Sequence, residues 1–193
     1  MNTRPRRGKN QKARVSIAER RALRAEITDP NVLMEAAAAF LAVRPRSVAE
    51  TRRRLLHLGY QAPLVETVLV RLADLLYLDD EAFARAWVGS RDRARPRGET
   101  ALRRELALKG VDRETVRAVL AERDVTESLP DRAAAERLLA RRGAALRRET
   151  DPQKQRQKAY ALLARNGFDP EICRSAAAAF ANPSSDDAGD DSA

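Results

Sequence analysis

The chain has 193 residues and a formal net charge of +9, with 34% of residues charged and 4% aromatic, so any core must be built mainly from Leu, Val and Ala. That length suits one compact domain or a short array of small units, and a Gly- and Pro-poor, Ala/Leu/Arg/Glu-rich composition favours helix over strand. It excludes an internal disulfide, because Cys173 is the one cysteine, and a hydrophobic membrane span, because no apolar stretch approaches the ~20 residues needed.

Residues 1–28 read as a basic flexible N-terminal tail. Residues 1–26 hold nine Lys/Arg against two Glu, with too little apolar surface to offset chain entropy. The opening "MNTRPRRGKNQKAR" lacks the apolar segment of a secretory signal, so none is expected. Beyond the tail, Leu33, Ala36, Ala37, Phe40 and Leu41 follow the spacing of an amphipathic helix. Ser47 with Glu50 three residues later forms a capping box that opens a second helix, and Gly59 ends it. A third helix is expected to place Val65, Val68, Leu69, Leu72 and Leu76 on one face.

The plan then recurs. "LDDEAFARAW" sets an N-cap aspartate before a helix expected to share Phe83, Ala86 and Trp87 on one face. Leu102 and Leu106 mark the next helix; Val116, Val119 and Leu120 mark the one after Asp112. A further helix starts near Asp131, and two more follow "TDP" at 150–152 and "FDP" at 168–170, each an N-cap aspartate ahead of a proline. Residues 182–193 form an acidic tail expected to be disordered.

Aligning three glycines exposes a repeat. Gly59, Gly110 and Gly167 are each preceded four positions earlier by Leu55, Leu106 and Leu163, and followed by Tyr60, Val111 and Phe168. Spacings of 51 and 57 residues identify a supersecondary unit used three times. The expected fold is all-α: three tandem three-helix, helix-turn-helix-like repeats at 29–78, 79–126 and 127–181 between the two tails.

The repeat also duplicates arginines. "RPRS" at 44–47 and "RPRG" at 95–98 each begin 15 residues before a glycine. The equivalent pairs are Arg44/Arg95, Arg46/Arg97, Arg52/Arg103 and Arg53/Arg104, with Arg91 and Lys109 as weaker candidates. Any one of them reads most simply as a solvated face or a partner for Glu50, Glu99 or Glu105. As a recurring set they point to a surface for phosphate or acidic protein, which guanidinium binds through paired donors. The third unit keeps Lys154 at the position of Arg46 and Arg97, but has Tyr160 and Ala161 where the arginine pair would stand.

Catalytic patterns are poor. His57 is the one histidine, and its repeat counterparts are Leu108 and Arg165. Cys173 falls on an apolar face. Asp79, Asp80 and Glu81 can be read as magnesium ligands, but a helix start explains them more simply. No GxxxxGK[ST] loop is present, and Phe40, Phe83 and Trp87 lie on apolar stripes rather than on a stacking platform. A protein that is not an enzyme, with no cofactor and no metal, is expected. A positive charge of this size fits a nucleic-acid or other polyanion partner, and the single cysteine fits a reducing cytoplasm.

Three stretches resemble the RecX family of regulators of bacterial homologous recombination: "RPRSVAETRRRLLHLGY", "LDDEAFARAWVGSRDRARPRGETALRRELALKGVDRETV" and "QKQRQKAYALLARNGFDPEIC". The likeness spans about residues 31–180. Trp87 stands where the family often has tyrosine. The resemblance implies an elongated array of three-helix repeats that binds the RecA–single-stranded DNA filament, and a cytoplasmic monomer is expected. It further implies suppression of ATP hydrolysis, strand exchange and coprotease activity in DNA repair and the SOS response, and direct contact with single- and double-stranded DNA in some members. The rival reading is an autonomous basic DNA-binding protein with tandem helix-turn-helix-like units. A metal-dependent nuclease using Asp79 and Asp80 is a third.

Overall fold

The computed structural model describes residues 16–126 and 130–182, and all regular structure among them is helical. The chain divides into two compact units. The first, residues 16–44 and 51–78, holds α1 (Ile17–Ala25), α2 (Pro30–Leu41), α3 (Val48–Leu58) from Thr51 onward, and α4 (Ala62–Asp74). The second, residues 45–50 and 79–182, holds α5 (Asp80–Ala94), α6 (Glu99–Lys109), α7 (Arg113–Thr126), α8 (Pro130–Leu146), α9 (Pro152–Arg165) and α10 (Pro170–Ala181).

Helix starts follow the chain's polar punctuation. Asp29, Asp79, Asp112, Asp151 and Asp169 each accept hydrogen bonds from backbone N–H groups one or two residues into the helix that follows. Proline then opens α2, α9 and α10, where its missing N–H leaves no donor unsatisfied. The capping box expected at Ser47 is formed: Glu50 N–H donates to Ser47 Oγ at 3.0 Å and Ser47 N–H to Glu50 Oε2 at 3.4 Å.

In the first unit, Leu33 and Ala37 of α2, Leu55 of α3 and Val65, Val68, Leu69 and Leu72 of α4 are buried, with Tyr60 and Leu78. Leu76 departs from the expected stripe. The N–H groups of both Tyr77 and Leu78 fold back to the Leu72 carbonyl, which ends α4 early. Leu78 is thereby buried, while Leu76 sits at φ 58° and is 81% exposed.

Part of the segment read as a basic tail is helical. In α1 no side chain is buried, so an apolar count could not find it. It forms through a Ser16–Glu19 capping box and docks by hydrogen bonds to main-chain carbonyls: the Arg24 guanidinium donates to the Leu58 carbonyl at 3.4 Å, and the Gln61 side-chain amide to that of Ala25 at 2.5 Å. The rest of the N-terminal tail, 1–15, and residues 183–193 of the acidic tail lie outside the described residues.

The second unit contains two apolar clusters. Phe83, Ala84 and Val88 pack with Leu102, Leu106, Val111, Val116, Val119 and Leu120, and Trp87 flanks them. Ala86 is exposed and Ala84 is buried instead, so the stripe keeps Phe83 and Trp87 but is turned by about a quarter of a helical turn. The other cluster joins Ala134, Ala135, Leu138 and Leu139 of α8 to Ala159 and Leu163 of α9 and Cys173, Ala176 and Ala177 of α10.

Candidate functional site

The Arg-Pro-Arg turns explain their own recurrence. A residue before proline is pushed out of the helical region, and Arg95 at φ −147° ends α5. Pro96 is buried and Gly98 then starts α6 without a side-chain cap. Two partners from the next repeat supply what glycine lacks. The Gly98 N–H donates to the Asn166 carbonyl at 3.1 Å, and the Glu99 N–H donates to Asp131 Oδ2 at 2.9 Å.

The earlier turn, whose residues 45–50 belong to the second unit, is built alike. Ser47 Oγ donates to the Lys109 carbonyl at 2.6 Å, and the Val48 N–H donates to Asp80 Oδ1 at 2.9 Å. Lys109 and Asn166 each immediately precede a repeat glycine, and Asp80 and Asp131 each lie 32 residues beyond the donor they cap. Gly110 and Gly167 hold φ of 82° and 80° at these junctions. A Cβ on Gly167 would come within 2.6 Å of the Ala101 backbone, so this position needs glycine twice over.

Two of the predicted residues, Arg91 and Arg97, converge with Trp87 on one carboxylate. Glu105 Oε2 accepts from Trp87 Nε1 at 2.8 Å and from Arg91 Nε at 2.6 Å, and Arg97 Nε lies 3.4 Å from Oε1. The Trp87 ring carries the Arg91 guanidinium at 4.4 Å and the Lys109 ammonium at 4.8 Å from its centroid. Lys109 Nζ also donates to Glu50 at 2.8 Å, and Arg97 donates to Asn166 Oδ1. Arg91, Arg97 and Lys109 thus bind the second unit internally and expose only part of each side chain.

The remaining predicted residues are more open. Arg52 forks onto Glu66 at 2.7 and 2.8 Å, and Arg103 pairs with Glu99 one turn earlier. Both pairs are exposed and therefore weak enough to exchange for another anion. Arg44, Arg53, Arg95 and Arg104 are exposed, and Arg46 is half-buried. Arg95 and Arg104 form no ion pair among the described residues.

Two basic clefts escaped the sequence reading. In the first unit, Arg20, Arg21 and Arg24 of α1 face Arg54 and His57 of α3 across a cleft of about 230 Å³ without a carboxylate in its walls. In the second, Gln153, Arg156, Gln157 and Tyr160 of α9 line a groove of about 410 Å³ with Arg174 of α10. The first was hidden because α1 has no buried stripe. The second was legible as the i, i+3, i+4, i+7 spacing of its α9 residues.

The acidic run does not gather. Asp79 caps α5, Asp80 caps α3 and Glu81 pairs with Arg85. Among the described residues no group of three His, Cys, Asp or Glu is placed to hold a metal ion. Cys173 is buried, its Sγ 3.6 Å from the Phe168 carbonyl, and burial pushes its thiol pKa up, away from a reactive thiolate.

Known proteins match this arrangement repeat by repeat. Residues 34–72, 79–120 and 131–176 match the first, second and third three-helix domains of RecX in turn. Regulatory protein RecX of Mycobacterium sp. (strain KMS) is 39% identical over 134 residues, covering 66% of this chain and 70% of that protein. The chain belongs to the RecX family. Regulatory protein RecX of Pelodictyon phaeoclathratiforme (strain DSM 5477 / BU-1) is 33% identical over 163 residues, covering 83% and 98% of the two chains. The crystal structure of RecX from Lactobacillus salivarius superposes with a TM-score of 0.66 at 17% identity, over 76% of this chain and 93% of that one, and shares its fold. RecX proteins are regulatory, and the three-helix repeat found from the glycine spacing is the RecX domain. Among the described residues no helix is long and apolar enough to cross a membrane.

Proposed function

We propose that this RecX-family chain is a non-enzymatic, monomeric cytoplasmic modulator of recombination and DNA repair. It binds RecA filaments on single-stranded DNA and lowers their ATPase, strand-exchange and coprotease activities. The observation that carries this reading is the match of all three repeats, in order, to the domains of a regulatory family.

The side chains support an electrostatic contact and divide the labour. Exposed Arg44, Arg53, Arg95 and Arg104 meet phosphate or acidic protein directly, and the exposed pairs of Arg52 and Arg103 reopen to join them. Arg91, Arg97 and Lys109 act mainly by holding together the unit that presents these groups, and half-buried Arg46 belongs with the contacting set. The α1–α3 cleft adds further positive charge.

The test follows ATP hydrolysis by preformed RecA filaments as the protein is added. A fall at levels well below those of the recombinase is expected. No fall, together with tight and steeply salt-dependent binding to bare DNA, would replace this reading with an autonomous DNA-binding protein.

A further inference from the structure

The grooves of the second unit differ sharply in charge. One, of about 770 Å³, has Glu99, Asp131, Asp169 and Glu171 in its walls against one cation, Arg132. Asp131 and Asp169 are committed there to capping α6 and α10. A second groove, beside α5 and α7, balances Arg85 and Arg123 against Asp92 and Glu122. The α9–α10 groove has two arginines, two glutamines, one tyrosine and no carboxylate.

From this set we infer that the α9–α10 groove is a contact site for single-stranded nucleic acid. Arg156 and Arg174 are exposed on facing helices and form no ion pair among the described residues. Each offers a planar fork of donors suited to a phosphodiester. Tyr160 is half-buried against the core of α8–α10, which fixes its ring at the groove while leaving part of it open. An aromatic face beside arginines takes an unpaired base, and the base's identity matters little because every base has a π-face. Gln153 and Gln157 each carry both donors and an acceptor, the complement that base edges require. At about 410 Å³ the groove has room for a nucleotide. A duplex keeps its bases stacked and offers none to Tyr160, so the site prefers single strands.

This site is independent of any effect on recombinase filaments, so binding is measured without recombinase. The full chain is titrated against a single-stranded oligonucleotide, an abasic strand of equal length and a duplex. Arg156→Glu/Arg174→Glu is expected to weaken single-strand binding tenfold or more. Arg113→Glu/Arg117→Glu on α7 changes net charge equally, and is expected to weaken it by less than about threefold. Tyr160→Leu is expected to cost about tenfold on the normal strand and little on the abasic strand or the duplex. Melting temperatures check that each variant is folded. Photocrosslinking of a halogenated-uracil strand gives a readout in the unaltered protein, with the adduct expected on the 153–174 segment. Equal losses in the two double variants, an unchanged Tyr160→Leu, or crosslinks confined elsewhere would overturn the site. Binding of a polyglutamate peptide as tight as that of the normal strand would also overturn it, in favour of an acidic protein segment.

Discussion

Two residues carry constraints that the local sequence conceals. Gly98 occupies the position of Ser47, and a repeat consensus would make Gly98→Ser look harmless. The Gly98 backbone is not strained, at φ −74°, but an added Cβ would strike the Gly167 carbonyl and the Phe168 backbone. Those atoms cannot swing aside as a flexible side chain does. Gly98→Ser is therefore expected to cost about 2–3 kcal/mol in urea unfolding; a neutral result would mean that the junction is looser than its hydrogen bonds imply. Leu76 behaves oppositely. Its left-handed backbone penalises a side chain, and that side chain, 81% exposed, gains little packing in return. Leu76→Gly is expected to stabilise by about 0.5–1 kcal/mol, the left-handed penalty less glycine's extra entropy. Cys173 supplies a native probe. It is fully buried and its thiol pKa is raised by that burial, so thiol labelling at neutral pH should be slow until denaturant opens the third repeat. Fast labelling of the native chain would contradict the packing of α10.

Helices in the second unit are completed by their successors, which makes each junction a point of shared stability. The start of α3 has its own serine cap and also takes Asp80, so losing Asp80 removes one of several acceptors. Asp80→Ala is expected to cost about 1 kcal/mol. The start of α6 has no side-chain cap, and Asp131 serves both it and Arg123, which is 8% exposed and otherwise held by Asp92. Asp131→Ala leaves a largely buried guanidinium with half its partners and is expected to cost about 3 kcal/mol. Equal losses at Asp80 and Asp131 would show that the burial of Arg123 is immaterial. Elsewhere carboxylates sit on element surfaces: Arg52 lowers the pKa of Glu66, Arg85 that of Glu122 and Lys158 that of Glu149, while hydrogen bonds from Thr115 lower that of Asp112. A folded pKa below the unfolded value gives stability that is present at neutral pH and lost as pH falls through the folded value. Thermal melts should therefore decline below about pH 4.5, the ordinary glutamate value.

At the scale of the whole molecule, periodic apolar residues and helix punctuation were legible because each acts within one helix. The leucines before the glycines, the Asp-Pro starts and the Ser47 capping box all formed where the sequence placed them. What was not legible depends on partners distant in the chain. Glu50 and Glu105 could be named as partners, but not that Arg91 and Arg97 share Glu105, that Arg97 also reaches Asn166, or that Lys109 takes Glu50; and α1 docks through polar hydrogen bonds that have no apolar signature. This difference separates the duplicated arginines into two experimentally distinct sets. Arg95 and Arg104 are exposed and form no ion pair among the described residues, so Arg95→Glu/Arg104→Glu should leave the melting temperature and helical circular dichroism nearly unchanged. If the surface contacts a recombinase filament, the same variant should weaken ATPase inhibition several-fold, since reversing unpaired interface cations adds repulsion. Arg91→Glu/Lys109→Glu instead turns both cations over the Trp87 ring into anions and places one beside Glu105 and the other beside Glu50. It should destabilise the second unit by about 3 kcal/mol. Trp87 is the chain's single tryptophan, so its fluorescence reports that change without a label. Loss of inhibition in the first variant with stability intact, and loss of stability in the second, would assign recognition and architecture to different arginines of one repeated motif. If the first variant unfolds or the second stays as stable as the parent chain, that division is wrong.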